Sequence, residues 1–202
     1  MSSSADAVIA LYETHADAWV RVRGRHFIEA AWLDRFIAHL PAGSARVLDV
    51  GCGSGEPIAR YLIDHGKSLV GIDSAPSLIA RCKTLFPEHD WHLGDMRHMA
   101  LEHRFDGVLA WNSFFHLTPE DQRLMFPIFR EHTVSRGVLM FTSGPAAGEA
   151  IGSFEGDALY HGSLDAAEYE TLLNQHDFDV LAHVVEDPTC GQQTVWLAQR
   201  RD

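Results

Sequence analysis

The stretch Val47–Gly55, with the sequence VLDVGCGSG, decides the fold of this chain. The mainly apolar segment Arg46–Val50 predicts a buried strand. Glycines then stand at every second position from Gly51 to Gly55. Glycine lets the backbone turn sharply and approach a ligand closely. We therefore expect a strand, a tight glycine turn and a helix, with a ligand against the turn.

The spacing of the glycines limits the chemistry of that ligand. The pattern G-x-G-x-G differs from the G-x-G-x-x-G of nicotinamide-binding turns, and Glu56 stands where a phosphate-binding loop has its lysine. Asp49, two residues before the first glycine, would repel a pyrophosphate but attract an ammonium or sulfonium group. The N-terminus of the following helix would suit a carboxylate. One ligand that carries an ammonium, a sulfonium and a carboxylate satisfies all three conditions.

Apolar and amphipathic stretches alternate beyond this turn, which predicts a doubly wound α/β fold around a mostly parallel sheet. Pro188 and Gly191 mark a turn near the end of the chain, so the last two strands are expected to form a closing antiparallel hairpin. The predicted strands are residues 46–50, 68–72, 90–93, 105–111, 137–142, 178–185 and 193–198.

Segments outside these strands complete the predicted organisation. Residues 5–18 and 25–39 carry apolar residues at helical spacing, so two helices are expected before the sheet. Residues 143–164 are rich in Gly and Ser, follow neither period, and are interpreted as a functional loop. The expectation is a single domain over residues 1–202, with a helical cap (1–45), a cofactor-binding core (46–142), and a lid loop, helix and closing hairpin (143–202).

Composition excludes several classes of function. The 202 residues suit one domain, and 28 acids against 16 bases give a net charge of −12, which disfavours nucleic acid as a partner. The chain has no apolar run of the ~20 residues that a membrane span needs and no signal peptide, so no membrane contact and a cytoplasmic location are expected. Its 13 histidines are scattered, and no metal site is predicted. The sequence leaves monomer and homodimer open.

Two acids end the second and third predicted strands. Asp73 lies about twenty residues after the first glycine, where an acid of a doubly wound fold accepts hydrogen bonds from a ribose diol. Asp95 and Met96 offer a carboxylate and a backbone N–H to an adenine ring. Asp73 could instead cap the helix that Ser74 introduces, and Asp95 could serve a turn. The two acids together favour a nucleoside.

The segments Leu48–Gly55, Val70–Asp73 and Gly94–Met96 resemble, in order and spacing, the successive cofactor motifs of class I S-adenosylmethionine-dependent methyltransferases. The resemblance covers roughly residues 46–142. It implies a Rossmann-like seven-stranded sheet whose last strand runs antiparallel between its neighbours. It also implies S-adenosylmethionine as cofactor, S-adenosylhomocysteine as product, and methyl transfer to a small-molecule acceptor, an activity of the EC 2.1.1 type.

The resemblance assigns the cofactor contacts. They are Asp49, Gly51 and Gly53 for the methionine part, Asp73 for the ribose hydroxyls, and Asp95 with the Met96 backbone for adenine. The neighbouring residues Cys52, Gly55, Ser74 and Trp111 are expected to complete this surface. Tyr12 and Trp19 are expected to close over it, although their helical spacing equally suits simple packing of an amphipathic helix on the sheet.

The acceptor is expected where the fourth strand ends, since ligands of open α/β sheets lie at the carboxyl ends of the strands. Asn112, Phe114 and Phe115 are predicted to line its site, joined by Tyr160 from the lid loop; ordinary core packing is the alternative for the aromatic residues. The sequence after Asn112 lacks the Pro-Pro-aromatic pattern of resembling enzymes that methylate adenine or glutamine nitrogens, so an acceptor of that kind is disfavoured.

His116 and His161 are the candidate catalytic residues. Methyl transfer is an in-line displacement that chiefly needs positioning and exclusion of water, so no covalent nucleophile is required. A general base helps a hydroxyl or ammonium acceptor but is dispensable for a carboxylate. His116 could instead brace the turn into the next helix. A non-catalytic S-adenosylmethionine-binding protein, and a nicotinamide-dependent oxidoreductase, are the alternative functions.

Overall fold

Strands and helices alternate from Arg46 onward in the computed structural model, which describes residues 4–24 and 27–202. In chain order the elements are α1 (Ser4–Thr14), α2 (Ala16–Arg23), α3 (Ala30–Ala38), β1 (Arg46–Val50), α4 (Ile58–Asp64), β2 (Ser68–Asp73), α5 (Pro76–Leu85), β3 (Asp90–Leu93), β4 (Phe105–Ala110), α6 (Pro119–His132), β5 (Thr133–Ser143), β6 (Gly148–Phe154), β7 (Asp157–Ser163), α7 (Ala166–Gln175), β8 (Phe178–Asp187) and β9 (Gln193–Arg200). Three short 3₁₀ turns lie between them.

Seven strands form one mixed sheet in the order β3-β2-β1-β4-β5-β9-β8. The first five pair in parallel, and β9 runs antiparallel between β5 and β8. The predicted seven-stranded α/β fold and its closing antiparallel hairpin are therefore confirmed. The parallel strands end at one edge of the sheet, which brings the segments that follow β1 to β4 together.

Successive side chains along each strand point to opposite faces of the sheet, and both faces are covered. Val47 and Leu109 belong to a core cluster built with α3, α4 and α5, whereas their chain neighbours Leu48 and Val108 belong to a second cluster built with α6 and α7. This double burial explains why the strands read as nearly continuous apolar runs in the sequence.

The helices before the sheet differ from the predicted pair. The predicted helix over residues 5–18 is broken at His15, which lies between α1 and α2. The predicted helix over residues 25–39 begins only at Ala30, as α3; residues 25 and 26 lie outside the described residues. Within the ranges 4–24 and 27–202, none of the helices has the length and apolar character needed to cross a bilayer.

The interpretation of residues 143–164 as an irregular loop is wrong. These residues contain the antiparallel hairpin β6–β7, paired from Gly148 opposite Ser163 to Phe154 opposite Asp157. Side chains on both faces of β6 are exposed to solvent. The strand therefore has no alternation of apolar and polar residues by which the sequence could indicate it. Gln122, fully buried in α6, donates from Nε2 to the backbone carbonyl of Gly162 (2.8 Å) and fixes the base of the hairpin.

Candidate functional site

A cleft of about 700 Å³, measured with its open mouth, lies where β1, β2, β3 and β4 end. We call it the main cleft. Its floor comes from the segments that follow these strands, and α1 and α2 form its roof. The predicted site residues that line it are Tyr12, Trp19, Gly51, Gly53, Asp73, Ser74, Asp95, Met96, Asn112 and His116.

The glycine turn has the tight geometry that its sequence predicts. Gly51 has a φ of +77°, and a Cβ atom there would lie 2.2 Å from the Cβ of Ser113. The Ser113 hydroxyl donates to the carbonyl of Val50 (2.6 Å), which holds the segments after β1 and β4 in this close contact. Only glycine fits at position 51, because both the backbone conformation and the space exclude a side chain.

Asp73 anchors the turn from the end of β2. Its Oδ2 accepts the N–H of Gly53 (2.9 Å), and its Oδ1 accepts the N–H of Ala75 (2.9 Å). Burial raises the pKa of Asp73, and these backbone hydrogen bonds only partly offset the effect. A carboxylate has about four lone-pair positions, so acceptor capacity toward the cleft is left after these two bonds.

A second space of about 380 Å³ opens beside the main cleft, and we call it the side recess. Trp19, Gly51, Gly53 and Asn112 line both spaces, so the two meet along the glycine turn. The predicted cofactor residues on the recess side alone are Asp49, Cys52 and Trp111, and the recess also contains Arg23, Ser54, Glu56 and Ile58.

Asp49 is almost completely buried in the recess wall. Burial and the nearby Asp73 carboxylate raise the pKa of Asp49 to about 7, against the opposing effect of Arg23. Trp111 is 4% exposed, and its indole Nε1 has no hydrogen-bond partner among the described residues. The wall of the recess therefore contains a buried acceptor group, the Asp49 carboxyl.

Asp95 lines the cleft but is engaged by a neighbour that the sequence prediction missed. Both of its oxygens accept from the Arg97 guanidinium, at 3.0–3.1 Å from Nε and 2.6 Å from Nη2. Burial alone would raise the pKa of Asp95, but the hydrogen bonds and charge of Arg97 outweigh it and lower the pKa. Arg97 also bonds Asp6 of α1 (2.9 Å) and Asp121 of α6 (3.2 Å), and so connects roof and floor.

The end of β4 places a polar pair at the inner side of the cleft. Asn112 has a φ of +50°, and its N–H donates to the Thr142 hydroxyl (2.8 Å). Nδ1 of His116 lies 2.8 Å from the carbonyl oxygen of Tyr160, and Nε2 lies 2.9 Å from the hydroxyl oxygen of Tyr12. Because a carbonyl can only accept, Nδ1 carries the proton and the neutral ring accepts from Tyr12 at Nε2. Burial lowers the pKa of His116 to about 4, so the ring is neutral at pH 7.

His161 lies in a separate space, the hairpin cavity, which follows the end of β5 and has a volume of about 730 Å³ when its opening to solvent is included. Phe115 lines the same cavity, and its ring centroid is 5.3 Å from that of His161. The rings of His161 and His116 are 4.9 Å apart, so the two histidines stand on either side of the wall between the hairpin cavity and the main cleft. Burial lowers the pKa of His161 as well.

Three predicted contacts lie elsewhere, and these predictions are corrected. Phe114 is fully buried in the core among the aromatic rings of α6 and β5, so packing rather than an acceptor explains it. Tyr160 is buried and packs against Val8; its backbone carbonyl, not its ring, reaches the site. Gly55 lines neither cleft nor recess, and a Cβ there would lie 2.9 Å from the ring of Phe86, so it serves packing.

Several lining residues escaped the sequence prediction. Apolar residues of the cleft such as Val8 and Leu78 read as ordinary helix packing, and nothing in their spacing distinguishes them. Arg97 stands two residues after Asp95, which is a readable signal for an ion pair. Arg23 belongs to the basic cluster of Arg21, Arg23 and Arg25 with His26, whose sequence fits either a surface that faces an anionic substrate group or, more simply, a solvated helix face. The remaining unpredicted residues of the main cleft are Ile9, Ile72, Gly94, Ser113 and Leu117.

Comparison with known proteins agrees with the geometry. Residues 47–137 match the model of a methyltransferase domain family. The chain is 29% identical over 114 residues to dTDP-3-amino-3,6-dideoxy-alpha-D-glucopyranose N,N-dimethyltransferase of Streptomyces fradiae, a match that covers 55% of this chain and 44% of that protein. A related dimethyltransferase of Streptomyces venezuelae is matched over 57% of its length. The chain thus spans about half the length of the curated relatives it matches.

Solved structures share the fold over nearly the whole chain. An amino pentose methyltransferase of Micromonospora echinaspora, solved with S-adenosylmethionine, superposes with a TM-score of 0.70 at 21% identity, covering 90% of this chain and 95% of that one. Magnesium protoporphyrin IX methyltransferase of Synechocystis PCC 6803 gives a TM-score of 0.77 at 15% identity, with 99% and 98% covered. At these identities the likeness establishes the fold, and function must be argued from the site.

Proposed function

Since the chain belongs to the class I S-adenosylmethionine-dependent methyltransferase family, we propose that it transfers the methyl group of S-adenosylmethionine to an amino group of a small, sugar-like molecule. The observation that carries the proposal is the junction of two spaces along one glycine turn: a long cleft that suits a nucleoside and a charged recess that suits an amino acid. S-adenosylmethionine is a nucleoside and an amino acid joined at a sulfonium.

The residues of both spaces fit this cofactor. Asp73 would accept hydrogen bonds from the ribose hydroxyls with the lone pairs that Gly53 and Ala75 leave unused. Asp49 offers a buried acceptor to the ammonium group in the recess. The sulfonium would lie near the residues that both spaces share, among them Asn112. Because Asp95 is engaged by Arg97, we expect its acceptor capacity toward adenine to be reduced.

When bound, S-adenosylmethionine would supply a methyl group on a positively charged sulfur: a neutral amine nitrogen bonds to the methyl carbon while the carbon–sulfur bond breaks, and S-adenosylhomocysteine leaves with that electron pair. The protein's part is to hold the acceptor, exclude water and provide a route for the amine proton. The Tyr12 hydroxyl donates a hydrogen bond to Nε2 of His116. The lone pairs of the hydroxyl oxygen are therefore available to accept a hydrogen bond from an amine N–H. Burial, together with the nearby Asp73 carboxylate, raises the pKa of Tyr12, which keeps this hydroxyl protonated.

His116 and His161 would have different roles. Protonating His116 is unfavourable because burial holds its pKa near 4, so we assign it the orientation of Tyr12 rather than storage of a proton. His161 is only half-buried and faces the hairpin cavity, where a proton can pass to solvent. We therefore propose His161 as the base for a protonated amine.

The hairpin cavity is the proposed acceptor site. It lies at the carboxyl ends of β4 and β5, shares a wall with the main cleft, and is lined mainly by small residues together with Phe115, His161 and Glu149. Relatives of similar sequence are named for dimethylation of amino sugars, which supports an amine as the methylated group. Glu149, as an exposed carboxylate, would favour a positively charged acceptor.

The test is a methyl-transfer assay with compounds that share one sugar ring. The purified protein is incubated with S-adenosylmethionine and glucosamine, 3-amino-3-deoxyglucose, glucose or glucuronate. Formation of S-adenosylhomocysteine and the mass of the product are followed. We expect transfer to the amines alone, with a rate that rises with pH as the amine loses its proton. Transfer to glucuronate or glucose would refute the amine assignment.

Substitutions separate the two histidines. His161→Gln is expected to lower the rate at pH 7 more than at pH 9, where the amine is already neutral, whereas His116→Gln is expected to lower it at both pH values. The exposed His103, in the loop before β4, gives a matched control as His103→Gln, with an unchanged rate expected. Tight cofactor binding with no transfer to any compound would favour the non-catalytic alternative, and preference for NAD over S-adenosylhomocysteine would revive the oxidoreductase.

The predictions about binding partners, oligomeric state and cellular location rest on the sequence alone. Exclusion of nucleic acid, a cytoplasmic location, and a monomeric or homodimeric state remain predictions. So does the absence of a metal requirement, although the described residues contain no group of three or more His, Cys, Asp or Glu side chains that could hold an ion.

A further inference from the structure

We infer that the hairpin cavity selects amines that carry no phosphate group, so that the methyl acceptor is a free amino sugar or a similar small amine and not a sugar joined to a nucleotide. The inference rests on the proposed function, because it narrows the class of acceptor at the same site. It departs from the two curated relatives, whose names describe sugars joined to dTDP. Such sugars carry a negatively charged pyrophosphate.

The segment that builds the cavity is strongly acidic. Residues 137–199 contain ten acids and neither lysine nor arginine, although the whole chain has 16 such bases. Every lining residue of the cavity except Phe115 comes from this segment. Burial lowers the pKa of His161, so its ring is largely neutral at pH 8. Among the described lining residues, Glu149 therefore carries the one full charge at that pH, and the charge is negative.

A phosphate group has no partner of the usual kind in this cavity. Proteins bind phosphate with arginine, with lysine or with the N–H groups at the N-terminus of a helix. Of the described residues that line the cavity, none is an arginine or a lysine, and none belongs to an α-helix. A phosphate would lose its hydration and meet the Glu149 carboxylate, whereas an ammonium group would be attracted to it.

The arginines on neighbouring elements are already matched by acids. Arg123 of α6 forms ion pairs with Glu168 (2.6 Å) and Glu120 (3.5 Å). Arg97, after β3, is shared among three carboxylates. Each of these arginines is therefore surrounded by more negative charge than it carries. Neither supplies a positive charge that would offset the acidic hairpin.

The environment of Tyr160, next to His161 on β7, shows the sign of the local potential. Burial raises the pKa of Tyr160, and the carboxylates of Glu149, Glu120 and Asp121 raise it further, to about 12. These acids thus oppose a further negative charge on this strand. A phosphate in the adjoining cavity would be repelled by the same carboxylates.

Three amines with the same ring test the inference: glucosamine, glucosamine 6-phosphate and UDP-glucosamine. Their kcat/KM values are measured at pH 8 from the formation of S-adenosylhomocysteine, at about 20 mM and about 500 mM NaCl, because salt screens repulsion between charges. Calorimetric titration of the protein saturated with S-adenosylhomocysteine gives their affinities without turnover. Glu149→Gln removes the charge and keeps the shape of the side chain. Glu155→Gln, exposed at the tip of the same hairpin and outside the cavity lining, is the matched control.

We expect wild-type protein at low salt to prefer glucosamine over glucosamine 6-phosphate by about tenfold or more, and over UDP-glucosamine by about hundredfold, in kcat/KM and in affinity. Each preference should fall by about threefold to tenfold at high salt, and by a similar factor in Glu149→Gln. The change in Glu149→Gln should lie mainly in KM, because the residue contacts the acceptor and not the transferred methyl group. Glu155→Gln should stay within about twofold of wild type.

The outcomes separate this inference from the proposed function. If a phosphorylated amine is methylated as well as glucosamine, the inference is wrong and the proposed function stands. A preference for glucosamine that neither salt nor Glu149→Gln reduces would mean that size and not charge excludes the nucleotide, which also overturns the inference. Binding in the expected order without methyl transfer would overturn the proposed function alone, and a wild-type protein that neither binds nor methylates any of the three overturns both.

Discussion

Replacing Asp49 by asparagine is expected to stabilise the ligand-free protein at neutral and alkaline pH while weakening its binding of S-adenosylmethionine. Asp49 is almost completely buried at the end of β1, in the wall of the side recess. Burial and the neighbouring Asp73 raise its pKa from 3.8 to about 7, and Arg23 offsets only part of this effect. The folded chain therefore ionises this carboxyl at a cost that the unfolded chain does not have.

The size and sign of the effect follow from the pKa. Between pH 4 and pH 7 the folded state keeps a proton that the unfolded chain releases, so this group's contribution falls as the pH rises through that interval. At about 1.4 kcal/mol per pH unit, the cost above pH 7 is on the order of 4 kcal/mol. Asparagine is neutral at every pH. The gain in free energy of unfolding for Asp49→Asn should therefore be about 2–4 kcal/mol at pH 8 and smaller by about 2 kcal/mol at pH 5.

The assay is urea unfolding of wild type and variant at pH 5, 6, 7 and 8, combined with calorimetric titration at pH 8. Any constant packing effect of the amide cancels in the difference between pH values, so the pH dependence isolates the carboxyl. S-adenosylmethionine should bind the variant about tenfold to hundredfold more weakly, because its ammonium loses a charged partner. Binding of 5′-methylthioadenosine, which has no ammonium, should be unchanged or slightly tighter.

Two results would refute this reasoning. A stability difference that is the same at pH 5 and pH 8 would show that the carboxyl is not destabilised by its surroundings. Equal weakening of both ligands would show that Asp49 supports the glycine turn and does not contact the amino-acid end. In wild type, affinity for S-adenosylmethionine should itself rise between pH 6 and pH 8, because the cofactor's ammonium favours the ionised carboxyl.

Further substitutions address the turn, the hairpin and its base. Gly51→Ala places a Cβ 2.2 Å from Ser113 and should abolish cofactor binding in calorimetry, whereas Gly43→Ala, also at positive φ but with open space around it, should bind normally. Phe154→Ala removes ring contacts to α1 and α2 at 6.0–6.3 Å between centroids, and should weaken binding about threefold to tenfold and speed amide exchange in both helices; unchanged exchange would contradict a role in holding the roof. Gln122→Ala removes the amide oxygen that accepts the buried Tyr169 hydroxyl and the amide N–H group that donates to two backbone carbonyls. It should lower the free energy of unfolding by about 2–4 kcal/mol in urea titration; a loss below about 1 kcal/mol would mean that water replaces the amide.

The acids of the cofactor site were readable from the sequence because each belongs to a local pattern. Asp49 and Asp73 sit at the ends of apolar runs, and the sheet brings the ends of parallel strands together whatever the helices do. The seven strands of the sheet were predictable for a similar reason: the central strands are buried on both faces and therefore appear in the sequence as uninterrupted apolar runs. These features need only strand assignment and parallel pairing.

The parts that the sequence did not reveal depend on contacts between distant segments. The hairpin β6–β7 has an exposed first strand, so its pairing is stabilised by its partners and not by a pattern of its own. Phe114 and Phe115 are neighbours in the chain, yet one is in the core and the other lines the hairpin cavity. Their identity and spacing are equivalent, and only the 3₁₀ turn that contains them decides which side each ring takes.

The two charged walls of the side recess differ in the same way: the position of one follows from the sheet, and that of the other depends on contacts between distant segments. Its acidic wall belongs to β1, a central strand whose position the sheet fixes, whereas its basic wall belongs to α2, a helix of eight residues. Helices this short are unstable alone in water, so α2 holds its place through contacts with the floor and the hairpin. The exposed ion pairs there, Arg81 with Asp17 and His15 with Asp157, contribute at most about 1 kcal/mol each. It follows that the basic wall of the recess forms only when the roof is docked, whereas its acidic wall is present whenever the sheet is folded.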